Sequence, residues 1–245
     1  MNAELVASIV LGTCLAGFVQ GLSGFAFGLV AMGVWAWSIE PRVAAPMVVF
    51  GSVVGQVLAF GTIRRSFDTR RVLPFIVGGV LGVPLGAWLL HYVDPRLFRG
   101  GVGVLLILYC SAMLMTRHLP VVSGGGFVID GLVGWIGGVM GGLGGLTGPA
   151  PTLWCTLRGW DRDEQRAVFQ SFSLTMQVLT LATYVVSGTV TRGMLWIFAI
   201  MVPVSILPTL AGARLYRTIS TAKFQRLVLT LLLLSGVLLV VSLRH

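Results

Sequence analysis

The sequence predicts an all-α polytopic membrane protein made of two inverted repeats, each a glycine-broken helical hairpin plus three transmembrane helices. Apolar residues make up 56% of the chain and charged residues only 10%, whereas a soluble domain carries roughly 25% charged residues. Uncharged runs recur along the whole chain and approach or exceed the roughly 17 to 25 residues that cross a bilayer as helix. An internal repeat is the third observation.

The repeat divides the chain into halves 1–120 and 121–245 within one membrane domain. Matching residues lie 121 positions apart. The main pairs are Gly17 and Gly138, Gly21 and Gly142, Gly24 and Gly145, Ser52 and Ser173, Gln56 and Gln177. Later the spacing becomes 126, as between Gly86 and Gly212, so the second half carries an insertion. Glycine-interrupted segments at matching places in two halves favour a binding site where the halves meet.

The first segment of each half is too long for one crossing. Residues 5–39 would form a straight helix of roughly 52 Å, against a hydrocarbon core of about 30 Å. The glycines at 21, 24 and 28 divide this segment into arms of about 16 and 14 residues, because glycine permits the chain to turn. The second such segment is predicted to break between Gly141 and Pro149, with Pro149 in the first turn of a new helix. The predicted hairpins are 4–39 and 127–158.

Three transmembrane helices follow each hairpin, at 43–63, 72–91 and 97–116, then at 165–188, 193–213 and 224–243. If both first segments crossed once, the loops of the two faces would hold 10 and 7 of the 17 basic residues. If both return to their starting side, the numbers become 12 and 5, which the positive-inside rule favours. This topology places both chain termini opposite the cytoplasm and inverts the second half. We interpret the hairpins as re-entrant, although two full crossings give the same count.

Charge and cysteine usage exclude several other classes. The net charge is +9, but the arginines fall in short loops between apolar runs, so membrane topology explains them better than nucleic-acid binding. The cluster from Arg158 to Arg166 is interpreted as a solvated loop, with a cytoplasmic gate as the alternative. The three cysteines lie in apolar runs without metal-ligand spacing, so no metal or cofactor is predicted. No acidic residue falls inside a predicted span, since Asp130 lies at an edge, which disfavours a carboxylate proton relay.

The glycine breaks predict an anion site. A helix that starts inside the membrane exposes free amide groups and a partial positive charge, and both attract anions. Two such starts, near Phe25 and near Thr147 to Ala150, would be brought together by the repeat. The alternative is that the glycines only allow close helix packing, as at Gly17 and Gly21.

Neutral polar side chains cluster around these breaks and complete the predicted substrate-binding site. Ser52 and Gln56, like Ser173 and Gln177, lie four residues apart and so share a helix face. A glutamine amide can donate to an anion and costs less to bury than arginine, although polar residues also join membrane helices to each other. The candidate residues are Gln20, Gly21, Ser23, Gly24, Ser52, Gln56, Gly144, Gly145, Thr147, Ser173 and Gln177.

The paired glycine patterns, 21–24 and 141–149, in a chain of this length resemble those of the TauE/SafE family of bacterial membrane permeases. The first half departs from the usual pattern, since Phe25 to Gly28 follow the glycine turn in place of further glycine and proline. The resemblance implies a secondary transporter in the bacterial inner membrane, with periplasmic termini. Its substrate would be sulfite, a sulfonate or a related organic anion, and its partners membrane lipids. A coupling ion or proton and a homo-oligomer stay open.

Two other functional classes are alternatives to a transporter. An anion channel or a non-transporting membrane subunit shares the predicted topology. A membrane-embedded enzyme is disfavoured, because no constellation of His, Glu, Asp or Cys falls within the predicted spans.

Overall fold

The computed structural model describes residues 3–24, 26–60, 69–115, 121–122, 124–215 and 221–244. Of these residues, 86% are helical and none lies in a strand, which confirms the all-α membrane fold. Phe25, the predicted helix ends at 61–63 and Thr116, and the loop cations Arg64, Arg65, Arg117 and Arg217 lie outside the described residues. The helices are α1 (Ala3–Ser23), α2 (Phe27–Trp35), α3 (Pro41–Phe60), α4 (Thr69–Leu90), α5 (Pro95–Leu114), α6 (Phe127–Gly144), α7 (Pro149–Leu157), α8 (Arg162–Val186), α9 (Leu195–Leu215) and α10 (Thr221–Val241).

The first hairpin is formed by α1 and α2. It turns at Gly24, whose φ of +89° lies in the left-handed region that favours glycine. The indole Nε1 of Trp35 donates to the Ser8 carbonyl oxygen at 3.0 Å, and the Ser8 and Ser38 hydroxyls lie 3.1 Å apart. The chain therefore returns beside the start of α1. Its arms have 21 and 9 residues, so the expectation of nearly equal arms was wrong.

The second hairpin, α6 and α7, is built in the same way. Gly145 has a φ of +70°, and its N–H donates to the Gly141 carbonyl at 2.7 Å, which caps the end of α6 as a left-handed residue commonly does. Pro149 occupies the first turn of α7, as predicted. The Trp154 indole donates to Asp130 Oδ1 at 2.7 Å, so the end of α7 lies beside the start of α6.

The first arm of each hairpin packs against a helix of the other half: α1 packs on α9, and α6 packs on α4. A Cβ atom added to Gly21 would overlap the Thr209 carbonyl oxygen, and one added to Gly142 would overlap the Val83 carbonyl oxygen. These two contacts join residues that match at the repeat spacings of 121 and 126. The two halves therefore use equivalent residues to reach each other, while their opposite orientation across a bilayer stays a prediction.

Six helices in the described ranges are long and apolar enough to cross a membrane: α1, α3, α4, α5, α6 and α9. Within the described side chains, α10 contributes a shorter apolar stretch, residues 226–241. Helix α8 is long enough, at 25 residues, but polar. It begins at Arg162, three residues before the predicted helix 165–188, so the interpretation of the cluster as a solvated loop was wrong from Arg162 onward. Arg166 is 8% exposed.

Candidate functional site

The two glycine breaks meet inside the protein. A Cβ atom added to Gly28, in the first turn of α2, would lie 2.8 Å from the Gly145 carbonyl oxygen and 3.3 Å from the Leu146 side chain. The start of α2 therefore touches the end of α6 directly. Such irregular backbone at membrane depth is tolerated where protein or a watery cavity surrounds it.

Each break also faces the helix that follows the other hairpin. A Cβ atom on Gly145 would lie 2.5 Å from Val48 Cγ1 and 3.1 Å from Val49 Cγ2, both on α3. A Cβ atom on Gly24 would overlap the Gln170 side-chain amide and lie 3.4 Å from Arg166 Nε, both on α8. Helices α3 and α8 thus complete the walls of the site.

On the first-half side, Gln20 and Ser52 form a buried polar pair. Gln20 has no exposed surface, and its Nε2 donates to the Ser52 carbonyl oxygen at 2.9 Å. Neither Gln20 Oε1 nor Ser52 Oγ has a hydrogen-bond partner among the described residues. A buried polar atom without a partner costs about 1 to 3 kcal/mol, so these two atoms mark a place that favours a polar solute or water.

On the second-half side, Gln177 holds the break in place. Its Nε2 donates to the Gly145 carbonyl oxygen at 2.8 Å and lies 3.3 Å from Thr147 Oγ1. Gln177 Oε1 and Ser173 Oγ lack hydrogen-bond partners in the described part of the chain. Because Thr147 Oγ1 accepts from Gln177, its own hydroxyl hydrogen stays available for another acceptor.

The remaining predicted site residues divide into two groups. The Ser23 hydroxyl accepts a hydrogen bond from the Ala26 N–H at 3.2 Å and so closes the turn between α1 and α2. Gly21 faces α9 and Gly144 faces the ring of Phe98, so both serve helix packing, as the alternative interpretation held. Gln56 is buried, but none of the described hydrogen bonds joins its amide to either break.

Arg166 and Gln170 are site residues that the sequence reasoning missed. Gln170 is 3% exposed, and its Nε2 lies 3.5 Å from the Gly24 carbonyl oxygen, at the outer limit of a hydrogen bond. A signal was present in the sequence: Arg166, Gln170, Ser173 and Gln177 follow one another at spacings of four, three and four residues. That spacing places all four on one face of a helix.

The site therefore contains hydroxyl and amide groups from both halves, one guanidinium and the first turn of a half-length helix. Its chemistry suits a small polar or anionic solute. Within the described ranges, no group of three or more His, Cys, Asp or Glu side chains is placed to hold a metal ion.

Comparison with known proteins agrees with this architecture. The sequence model of the sulfite exporter TauE/SafE family matches residues 9–239, which include both breaks and all of α8. No curated protein and no solved structure matches the chain. With this match over nearly its whole length and six helices able to span a bilayer, the chain is a multi-pass membrane protein that belongs to the TauE/SafE sulfite exporter family.

Proposed function

We propose that the protein is a secondary transporter that moves sulfite, a sulfonate or a related sulfur-containing organic anion across the bacterial inner membrane by alternating access. The family is one of membrane transporters for sulfite-type anions, which argues against an enzyme. The observation that carries the proposal is the meeting of two broken helices beside buried polar atoms that have no hydrogen-bond partner within the described ranges.

The start of α2 provides part of the anion chemistry. The first N–H groups of any α-helix lack intrahelical acceptors, and the aligned peptide dipoles add a partial positive charge there. Gly28 lies in this first turn, and its missing side chain lets the Gly145 carbonyl of the other break pack directly against it. The hydroxyls of Ser52, Ser173 and Thr147 can donate to oxyanion oxygens from the surrounding helices.

The hairpins provide the means of alternating access. Helices α2 and α7 have nine residues each, so each rises about 14 Å and cannot cross the bilayer alone. Rocking one half against the other would uncover the meeting point from one side and then from the other, as in transporters built from inverted repeats. Periplasmic termini and an inner-membrane location belong to the same proposal.

Uptake into vesicles tests the function. Purified protein in liposomes should take up labelled sulfite or a short alkanesulfonate with saturation and counter-exchange, and should discriminate against acetate and sulfate. Flux equal to that of protein-free liposomes would overturn the proposal, and ohmic single-channel currents would assign the protein to the channel class instead.

A further inference from the structure

We propose that Arg166 on α8 supplies the fixed positive charge that binds the transported anion, and that the anion site is therefore centred on the first break. This inference rests on the transport function proposed above and names the residue that selects the charge of its substrate. It replaces a symmetric site, shared equally by the two breaks, with an asymmetric one.

The repeat itself provides the comparison that supports this asymmetry. Subtracting the repeat spacing of 121 from Arg166 and Gln170 gives Ala45 and Val49. Gly24 faces Gln170 and Arg166, whereas Gly145 faces Val49, which matches Gln170, and its neighbour Val48. One break therefore meets a cation and an amide, and the other meets two aliphatic side chains, while Ala45 at the position that matches Arg166 carries no charge.

The distribution of buried charge points to the same side. Among the side chains that the structure describes, only Asp130 and Arg166 are both charged and buried, each at 8% exposure. Asp130 accepts from the Trp154 indole and pairs with Arg158 Nη1 at 3.7 Å, near the open end of the second hairpin. Arg166 instead lies beside the turn of the first hairpin. A guanidinium presents five N–H donors in a planar fork, so it can bind an oxyanion while it keeps other contacts.

Gln170 is the positioning residue for this site. Its amide nitrogen points to the Gly24 carbonyl oxygen, 3.5 Å away, and this contact places a donor beside an oxygen that would otherwise repel an anion. The hydrogen bond from the Ala26 N–H to the Ser23 hydroxyl closes the same turn. The turn is thereby held by contacts on two sides.

The second break is poorly suited to anion binding. Pro149 and Pro151 occupy the first turn of α7, and proline has no N–H to donate. The Gly145 carbonyl oxygen is already bound to Gln177. The second break therefore supports the first break and forms the far wall of the site.

The experiment compares Arg166→Gln, Arg166→Lys and a matched control, Arg192→Gln, in reconstituted sulfite uptake. Arg192 is exposed and precedes α9, away from both breaks. Loss of the charge should raise KM for sulfite about 10- to 100-fold, since hydrogen bonds to charged groups carry that much discrimination, with a smaller change in Vmax. Arg166→Lys should raise KM about 3- to 10-fold, because it keeps the charge but loses the planar fork. Arg192→Gln should keep the wild-type KM.

The outcomes separate this inference from the proposed function. If the wild-type protein transports no anion, the function itself fails. If wild-type protein transports sulfite and both Arg166 variants keep its KM and anion preference, the function stands and the Arg166 site is wrong. Size-exclusion elution confirms folding of each variant, and Arg166→Lys alone decides the question if Arg166→Gln does not fold.

Discussion

The interfaces α4/α6 and α1/α9 occupy equivalent places in the two halves and yet are built from different residues. Between α4 and α6, six glycines face the backbone of the opposite helix so closely that an added Cβ would overlap it: Gly78, Gly82, Gly86, Gly134, Gly138 and Gly142. Between α1 and α9, only Gly21 and Gly212 do so. In the α4/α6 interface the two backbones are in contact along the length of the helices, whereas in the α1/α9 interface such close approach occurs at these two glycines.

Hydroxyl side chains fill the α1/α9 interface where the other has glycine or valine. Ser205 and Thr209 match Gly79 and Val83 at the repeat spacing of 126. Thr13 Oγ1 and Thr209 Oγ1 are buried without hydrogen-bond partners among the described residues. Close glycine packing stabilises helix pairs in membranes by van der Waals contact. This difference indicates that the second hairpin is fixed firmly to α4 by backbone contacts, whereas the first is held to α9 in part by side chains that can rotate.

The largest expected effect comes from alanine substitution of two glycines that match at the repeat spacing of 121, Gly138 in the α4/α6 interface and Gly17 in the α1/α9 interface. A Cβ on Gly138 would meet Gly79 Cα at 2.7 Å, which only backbone movement can relieve, whereas a Cβ on Gly17 would lie 3.0 Å from the rotatable Thr209 Oγ1. We expect Gly138→Ala to lower the free energy of unfolding by about 1 to 3 kcal/mol or more, and Gly17→Ala by about 0.5 kcal/mol or less. Thermal unfolding in one detergent measures both, and equal losses of Tm would remove the contrast between the interfaces.

An intermediate effect is expected from the matched glutamines. Gln177→Ala removes the donor to the buried Gly145 carbonyl oxygen, so we expect a loss of about 1 to 3 kcal/mol in stability together with reduced sulfite flux. Gln56→Ala removes an amide that no described hydrogen bond joins to either break, and we expect a smaller loss in both measurements. Uptake and unfolding of the two variants should be measured side by side. A larger defect in Gln56→Ala would show that the halves contribute in the opposite order.

The smallest effect is expected at the open ends of the hairpins. At the open end of the second hairpin, Asp130 lies near Arg158, and Arg71 and Glu164 form an ion pair at 2.8 Å. At the open end of the first hairpin, the hydroxyls of Ser8 and Ser38 contact each other. Asp130→Asn keeps an acceptor for Trp154 but loses the charge. The Arg158 side chain is 20% exposed, so water still solvates the remaining cation, and we expect a salt-dependent loss of about 1 kcal/mol or less. Ser38→Ala should cost still less and show no dependence on salt. Unfolding at low and high ionic strength measures both variants.

Much of the fold follows from pattern in the sequence. The apolar runs predict the spanning helices, and the matched glycines predict breaks that the structure places at Gly24 and Gly145. The lengths of the hairpin arms could not be predicted from the sequence. Gly21 and Gly28 lie within helices, and of the three glycines only Gly24 has the positive φ that turns the chain. A glycine has no side chain whose chemistry distinguishes these roles before the neighbouring helix is known.

The site was predicted in part. Gln20, Ser52, Ser173 and Gln177 were chosen as neutral polar residues near the breaks, and each is buried and carries a side-chain oxygen without a described partner. Arg166 was missed because it stands at the charged end of the predicted helix 165–188, and its charge was interpreted together with the loop cluster from Arg158. Helix α8 includes this charged residue. Its burial against the Gly24 turn depends on tertiary contacts, which the hydropathy of the segment does not reveal.

The nine-residue length of α2 and of α7 determines how thick a layer of protein would cover a solute at the breaks. Helices this short reach through only about half the hydrocarbon thickness, so a solute held between their inner ends is separated from each aqueous compartment by a layer of protein about 14 Å deep. In the proposed alternating access only one of these layers opens at a time, so a charged solute would cross the membrane potential in two steps.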